Sequence, residues 1–108
     1  MLLLAAFALP GLGCGSKQEP GETIRLVLPA GASRDMEAGR PVKGIPNRIE
    51  AHVGDTLVVE NRDSATQFVS GFAISPGQTV RIPLSREGTY LTNCSVHRER
   101  NIKMVVRS

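Results

Sequence analysis

The chain has 108 residues, with 13 Lys plus Arg against 10 Asp plus Glu, 41% hydrophobic residues, one Tyr and no Trp. That length allows one domain and excludes a multidomain enzyme, while 21% charged residues exclude a disordered tail, a coiled coil and a polytopic membrane protein. The net charge of +3 comes from dispersed basic residues with no basic run, which argues against nucleic acid as a partner.

The first twelve residues are apolar, interrupted by Pro10 and Gly11, and run into Gly13-Cys14-Gly15. Such a run is too short to span a bilayer as a stable helix but suits the apolar region of a secretory signal. A small residue before a cysteine, followed by the polar stretch from Gly15 to Gly21, resembles the bacterial lipoprotein cleavage site. The match departs from that pattern at Gly11, where Leu is usual, and in having no Lys or Arg ahead of the apolar run. The expected organisation is a signal peptide over residues 1–13, a lipidated Cys14 with a flexible tether over 14–22, and one domain over 23–108. Plain secretion, or a buried N-terminal element, are the other readings. The expected location is extracytoplasmic, either membrane-anchored through Cys14 or periplasmic.

Beyond Cys14 there are ten Val and six Ile against five Leu, a bias toward strands because branched side chains fit a pleated surface. Gly or Pro punctuates this part at short intervals, the signature of a β-sandwich or barrel. Strands are predicted over 23–28, 48–53, 56–60, 67–72, 79–84, 89–93 and 102–107. Ile49, Ala51 and Val53 alternate with Arg48, Glu50 and His52, and Ile102, Met104 and Val106 alternate with Lys103, Val105 and Arg107. Residues 29–47 carry the weakest signal. Residues 33–38 read either as one helical turn ended by Gly39 or as part of a long irregular connection. The fold class is therefore all-β, a sandwich of about seven strands.

After processing at Cys14 the domain itself would hold one cysteine, Cys94. An unpaired thiol in an oxidising compartment implies burial, coordination or use. Cys94 closes a predicted strand, and His97 follows three residues later, before the last strand begins. Across such a turn a thiolate and an imidazole can face one centre, a soft pair suited to copper, or to zinc with further ligands.

The ordered segments Val53-Gly54-Asp55-Thr56-Leu57, Asn61-Arg62-Asp63-Ser64, Ser75-Pro76-Gly77-Gln78-Thr79, Gly88-Thr89-Tyr90 and Cys94-Ser95-Val96-His97 resemble the cupredoxin family. These are small Greek-key sandwiches that hold a blue copper ion. The resemblance covers the last half of the chain well and reaches back more loosely to Thr23. It implies Cys94 as the thiolate ligand and His97 as an imidazole ligand of one copper ion. It also implies another His after the Asn-x-Asp stretch and an axial Met a few residues after His97. Here the first slot falls on Gln67, a neutral and harder donor, and Arg98-Glu99-Arg100-Asn101 supplies no Met. Met104 aligns with a core position. Blue-copper carriers expose an apolar patch beside the C-terminal His, where this chain places Arg98, Glu99 and Arg100. That cluster reads as a solvated turn, or as a surface for an acidic partner or an anion.

Each candidate has a plainer reading. Cys94 is a metal ligand, a buried inert thiol or a reactive redox thiol; His97 is a ligand or a turn residue. Gln67 is a third ligand or a hydrogen-bonding loop residue. His52 belongs to the polar face of its strand, Tyr90 bonds backbone at a sandwich corner, Asn61 and Asp63 shape a loop, and Phe68 and Phe72 are core. No catalytic triad, phosphate-cradling loop or acid–base carboxylate pair is present, so the chain is not expected to be an enzyme. The leading expectation is a monomeric copper-binding domain of the cell envelope, with one-electron transfer as the activity the resemblance adds and a redox or copper-exchange protein as partner. A copper-free binding or structural module, and a Cu(I) storage or delivery protein, are the competing expectations.

Overall fold

The computed structural model describes residues 21–108; the expected signal peptide, Cys14 and most of the expected tether lie outside them. The chain runs β1 (Thr23–Leu28), α1 (Ala32–Glu37), β2 (Arg48–His52), β3 (Thr56–Asn61), β4 (Gln67–Val69), β5 (Phe72–Ile74), β6 (Thr79–Pro83), β7 (Gly88–Asn93) and β8 (Asn101–Arg107). One sheet has the order β1-β3-β6, a second β2-β8-β7, and β4 and β5 form a separate hairpin. β1 lies parallel to β3 and β2 parallel to β8, whereas β3 with β6 and β7 with β8 are antiparallel. The architecture is an all-β sandwich.

Alternation decides which faces meet. Ile49 and Ala51 of β2 and Ile102, Met104 and Val106 of β8 are buried, while Arg48, Glu50, His52, Lys103 and Arg107 face water. They meet Leu26 and Leu28 of β1 and Leu57 and Val59 of β3 in one core. Met104 is part of it, and His52 is exposed on the polar face, as the alternation implies. Val53, expected to continue the apolar face, lies beyond the end of β2 and is exposed. Its N–H still donates to the carbonyl of Arg107, but the turn through Gly54 carries its side chain away from the core.

Two further departures concern single turns. The segment expected as one strand over 67–72 is instead a hairpin that reverses at Ser70 and Gly71. Both residues have positive φ, 52° and 83°, as tight two-residue hairpin turns require. Asn93 fixes the turn: its backbone oxygen accepts from the Ser70 N–H and its Oδ1 from the Gly71 N–H. Phe68 takes the outer face between buried Gln67 and Val69, and Phe72 stands directly after the turn, so these two residues, expected as core, are 49% and 45% exposed. Within 29–47, a six-residue helix forms over Ala32–Glu37 and the remainder is irregular.

Candidate metal centre

Cys94 stands directly after β7, where its N–H donates to the carbonyl of Arg100 and its backbone bridges Val69 of β4. The chain then folds tightly to reach β8. The His97 N–H donates to the Cys94 carbonyl at 3.2 Å, the Arg100 N–H donates to the His97 carbonyl at 2.8 Å, and Arg100 takes the left-handed conformation at φ 68°. This turn buries both chemically soft side chains, Cys94 completely and His97 to 7% exposure. Its outer residues Arg98, Glu99 and Arg100 are exposed. Burial pushes the Cys94 thiol up from its ordinary range, and the backbone N–H groups of Val96 and His97 partly offset this by hydrogen bonding to sulfur. A thiolate at this position needs a cation beyond what two amides supply.

The imidazole of His97 is held at both nitrogens. Glu99 N–H donates to Nδ1 at 3.1 Å, and Nε2 meets Oδ1 of Asn47 at 2.8 Å. An amide N–H can only donate, so Nδ1 carries the lone pair and Nε2 the proton. His97 is therefore assigned as the neutral Nε2–H tautomer.

Gln67 opens β4 and is 5% exposed. Its Nε2 donates to Oδ2 of Asp63 at 2.8 Å, and its Oε1 accepts from the hydroxyl of Ser95 at 2.6 Å. Ser95 Oγ in turn accepts from the Phe68 N–H at 2.8 Å. The expected hydrogen bonding of Gln67 is present, but to side chains rather than to loop backbone. The amide braces the β3–β4 loop to the turn that carries Cys94 and His97.

The loop itself is built by the Asn-x-Asp stretch. Asn61, fully buried at the end of β3, donates through Nδ2 to the carbonyls of Ala65 and Ile74, while its Oδ1 accepts from the Asp63 N–H. Asp63 reaches across the pole and accepts from the N–H groups of Gly31 and Ser33 at 3.0 and 3.2 Å, capping α1 from outside that helix. Burial opposes its charge, but hydrogen bonds from Ser33, Gln67 and Ser64 outweigh it and hold the carboxyl below its ordinary pKa. Tyr90 Oη donates to the carbonyls of Arg86 and Glu87, a corner contact.

Copper can be tested against this donor set. Cys94 and His97 share one buried turn and offer a sulfur and a basic nitrogen. Position 67 offers only an amide already committed at both ends, and residues 98–101 offer no Met. Among the described residues no group of three or more His, Cys, Asp or Glu is placed to hold a metal. One buried sulfur and one buried imidazole fall short of the thiolate with two imidazoles that a trigonal site needs.

No family model matches the chain, and no curated protein matches it either. Solved structures do. A purple cupredoxin from Nitrosopumilus maritimus is 23% identical, with a TM-score of 0.55, over 77% of this chain and 98% of that one. A Cu(I) form of an amicyanin variant is 20% identical, with a TM-score of 0.57, over 79% of this chain and 82% of that one. A reduced amicyanin variant is 18% identical, with a TM-score of 0.55, over 83% of this chain and 93% of that one. Identity at this level speaks to fold, and the fold of the chain is that of the cupredoxins.

Proposed function

We propose that this domain holds copper in the cell envelope as Cu(I), through Cys94 and His97, and is neither a blue-copper electron carrier nor an enzyme. The observation that carries this reading is the state of Gln67. The side chain in the slot of the second imidazole is buried and engaged at both ends of its amide, so the strong third donor that Cu(II) needs is missing. Cu(I) tolerates two soft donors, and Cys94 with His97 supplies them. When bound, the ion would supply the positive charge that a buried thiolate requires. Gln67, Asp63 and Ser95 brace the turn rather than touch the metal.

The His97 edge supports storage or delivery over electron transfer. The imidazole is 7% exposed and its outer nitrogen is covered by Asn47, whereas a carrier needs an open imidazole edge. Arg98 and Arg100 beside it favour an acidic partner protein that exchanges copper. The apolar run ending at Cys14 supports an envelope location, with attachment to the membrane through a lipid on that cysteine. Cu(I) and copper-protein structures among the fold neighbours support the choice of metal.

A second reading, a copper-free structural module, is favoured by one observation: the Nδ1 lone pair of His97 is taken by Glu99 N–H. One experiment separates the two. Thermal unfolding under reducing conditions is expected to shift upward with added Cu(I), since a ligand bound only by the native state stabilises it, and Cys94→Ser is expected to abolish the shift. No shift in the unsubstituted chain supports the copper-free module. An intense visible thiolate band on adding Cu(II) overturns the two-donor site in favour of a blue-copper carrier.

A further inference from the structure

We infer that the outer edge of β7 is a self-pairing surface, which takes the same edge of a second copy of this chain as an antiparallel neighbour, in place of the expected monomer. The inference does not depend on copper. Each three-stranded sheet ends in two outer strands, and three of these four carry guards against edge-to-edge pairing. β1 presents Arg25, β2 presents Arg48 and Glu50, and β6 carries Arg81 and closes on Pro83. β7, Gly88-Thr89-Tyr90-Leu91-Thr92-Asn93, has no charged side chain and no proline. Its register with β8 is unbroken from Gly88 opposite Val106 to Asn93 opposite Asn101, so no bulge turns it away. Leu91 is 74% exposed and Tyr90 40%.

Hydrogen bonding shows which backbone groups of β7 are free. Leu91 stands opposite Lys103, whose N–H is spent on the Asn47 carbonyl at the far side of β8. Leu91 therefore turns its own N–H and C=O outward, and so does Thr89 two residues before it. Asn93 is the next outward residue, but its carbonyl accepts from Ser70 and its Oδ1 from Gly71, so the β4–β5 turn closes the edge there. The other end stops at Gly88, where the strand begins. The open stretch thus holds two outward residues with Tyr90 between them. A second copy run antiparallel covers it in one register, with Tyr90 on the two-fold axis and Thr89 of each copy paired with Leu91 of the other. The inner face beside Tyr90 opens onto a cavity of about 550 Å³ lined by the buried Leu84, Met104 and Val106, which leaves room for a second Tyr90 ring. No charge is buried. The two copies of Lys103 stay at least three strand spacings apart, about 14 Å, beyond the Debye length of about 8 Å at physiological salt. A strand of another protein could use the same backbone groups, but an uncharged window closed at both ends is matched in length and charge by itself. One short strand from each copy makes a small contact, below about 1,200 Å², so the association is weak and concentration-dependent.

The test combines sedimentation of the full chain from low to high concentration with amide hydrogen exchange read by NMR at the same concentrations. A monomer–dimer shift is expected, with slowed exchange appearing at Thr89 and Leu91 as the dimer forms. Leu91→Lys, a change at an exposed position outside the core, is expected to lose both signals with its thermal unfolding unchanged. A chain that stays monomeric throughout overturns the inference. So does association that Leu91→Lys leaves intact, or that adds no protection at Thr89 and Leu91, because the contact then lies elsewhere. A monomeric chain in which a synthetic peptide of residues 88–93 protects these two amides overturns the second copy as occupant and assigns the edge to a foreign strand.

Discussion

The two ends of β3 are organised by the same device for different purposes. Before the strand, Asp55 accepts from the N–H groups of Glu22 and His52, both at 2.8 Å, tying the approach to β1 onto the β2–β3 turn. After it, Asp63 accepts from two backbone N–H groups of the α1 entry and from the side-chain amide of Gln67. At the first pole every partner is backbone, and the carboxylate only fixes where chain segments run. At the second, the carboxylate anchors a side-chain relay that ends on the turn carrying Cys94 and His97. A closed pole is therefore distinguished from a chemically equipped one by what the relay reaches, since the anchoring residue is the same.

Substitutions that cut the second pole should show the largest effects. Asn61→Ala removes the donors to Ala65 and Ile74 and the acceptor for the Asp63 N–H inside the protein. A loss of about 3 kcal/mol is expected from chemical denaturation, because buried partners left unpaired cost about 1–3 kcal/mol each. Unchanged stability would mean that water replaces all three contacts. Asp63→Ala should cost about 1–2 kcal/mol, in the range for loss of a helix cap. Its distinguishing sign is local, namely faster amide hydrogen exchange over residues 31–37 with the β7–β8 ladder still protected.

The first pole should respond mainly to acid. Hydrogen bonds from the His52 and Glu22 N–H groups hold the Asp55 carboxyl below its ordinary pKa. Its stabilisation is thus complete above the unfolded value, about 4, and drains away as pH falls through the lower folded value. Asp55→Asn should flatten this part of the acid-unfolding curve while leaving Cu(I) binding unchanged; a curve that keeps its acid limb refutes the assignment. The smallest effect belongs to the polar outer face. Hydrogen bonds from Arg107 and Arg48 lower the Glu50 pKa to about 2, but the group is exposed and screened. Glu50→Gln should shift the melting temperature measurably only at low salt, and a shift that persists in high salt would contradict this.

Much of this contrast was legible in the residues. Strand positions followed from alternation, because one side of each sheet meets water, and Cys94 and His97 stood out through a short spacing. What escaped was set by contacts distant in sequence or by one turn. Ser70-Gly71 lacks the usual Asn-Gly or Asp-Gly signature, so the β4–β5 hairpin read as one strand and Phe68 and Phe72 read as core. Asn93, which pins that turn, is 22 residues away from Gly71. Asp63 was recognisable as a loop former, but not as the cap of a helix 30 residues upstream. Asn47 fell in the segment with the weakest periodicity, and only the fold brings it to His97.

X-ray absorption at the copper edge, on the full chain loaded with one equivalent of the monovalent metal, examines the donor set most directly. One sulfur and one nitrogen neighbour, with the sulfur lost in Cys94→Ser, is the predicted outcome. A first shell of three or more protein donors, or a spectrum that Cys94→Ser leaves unchanged, would contradict the account.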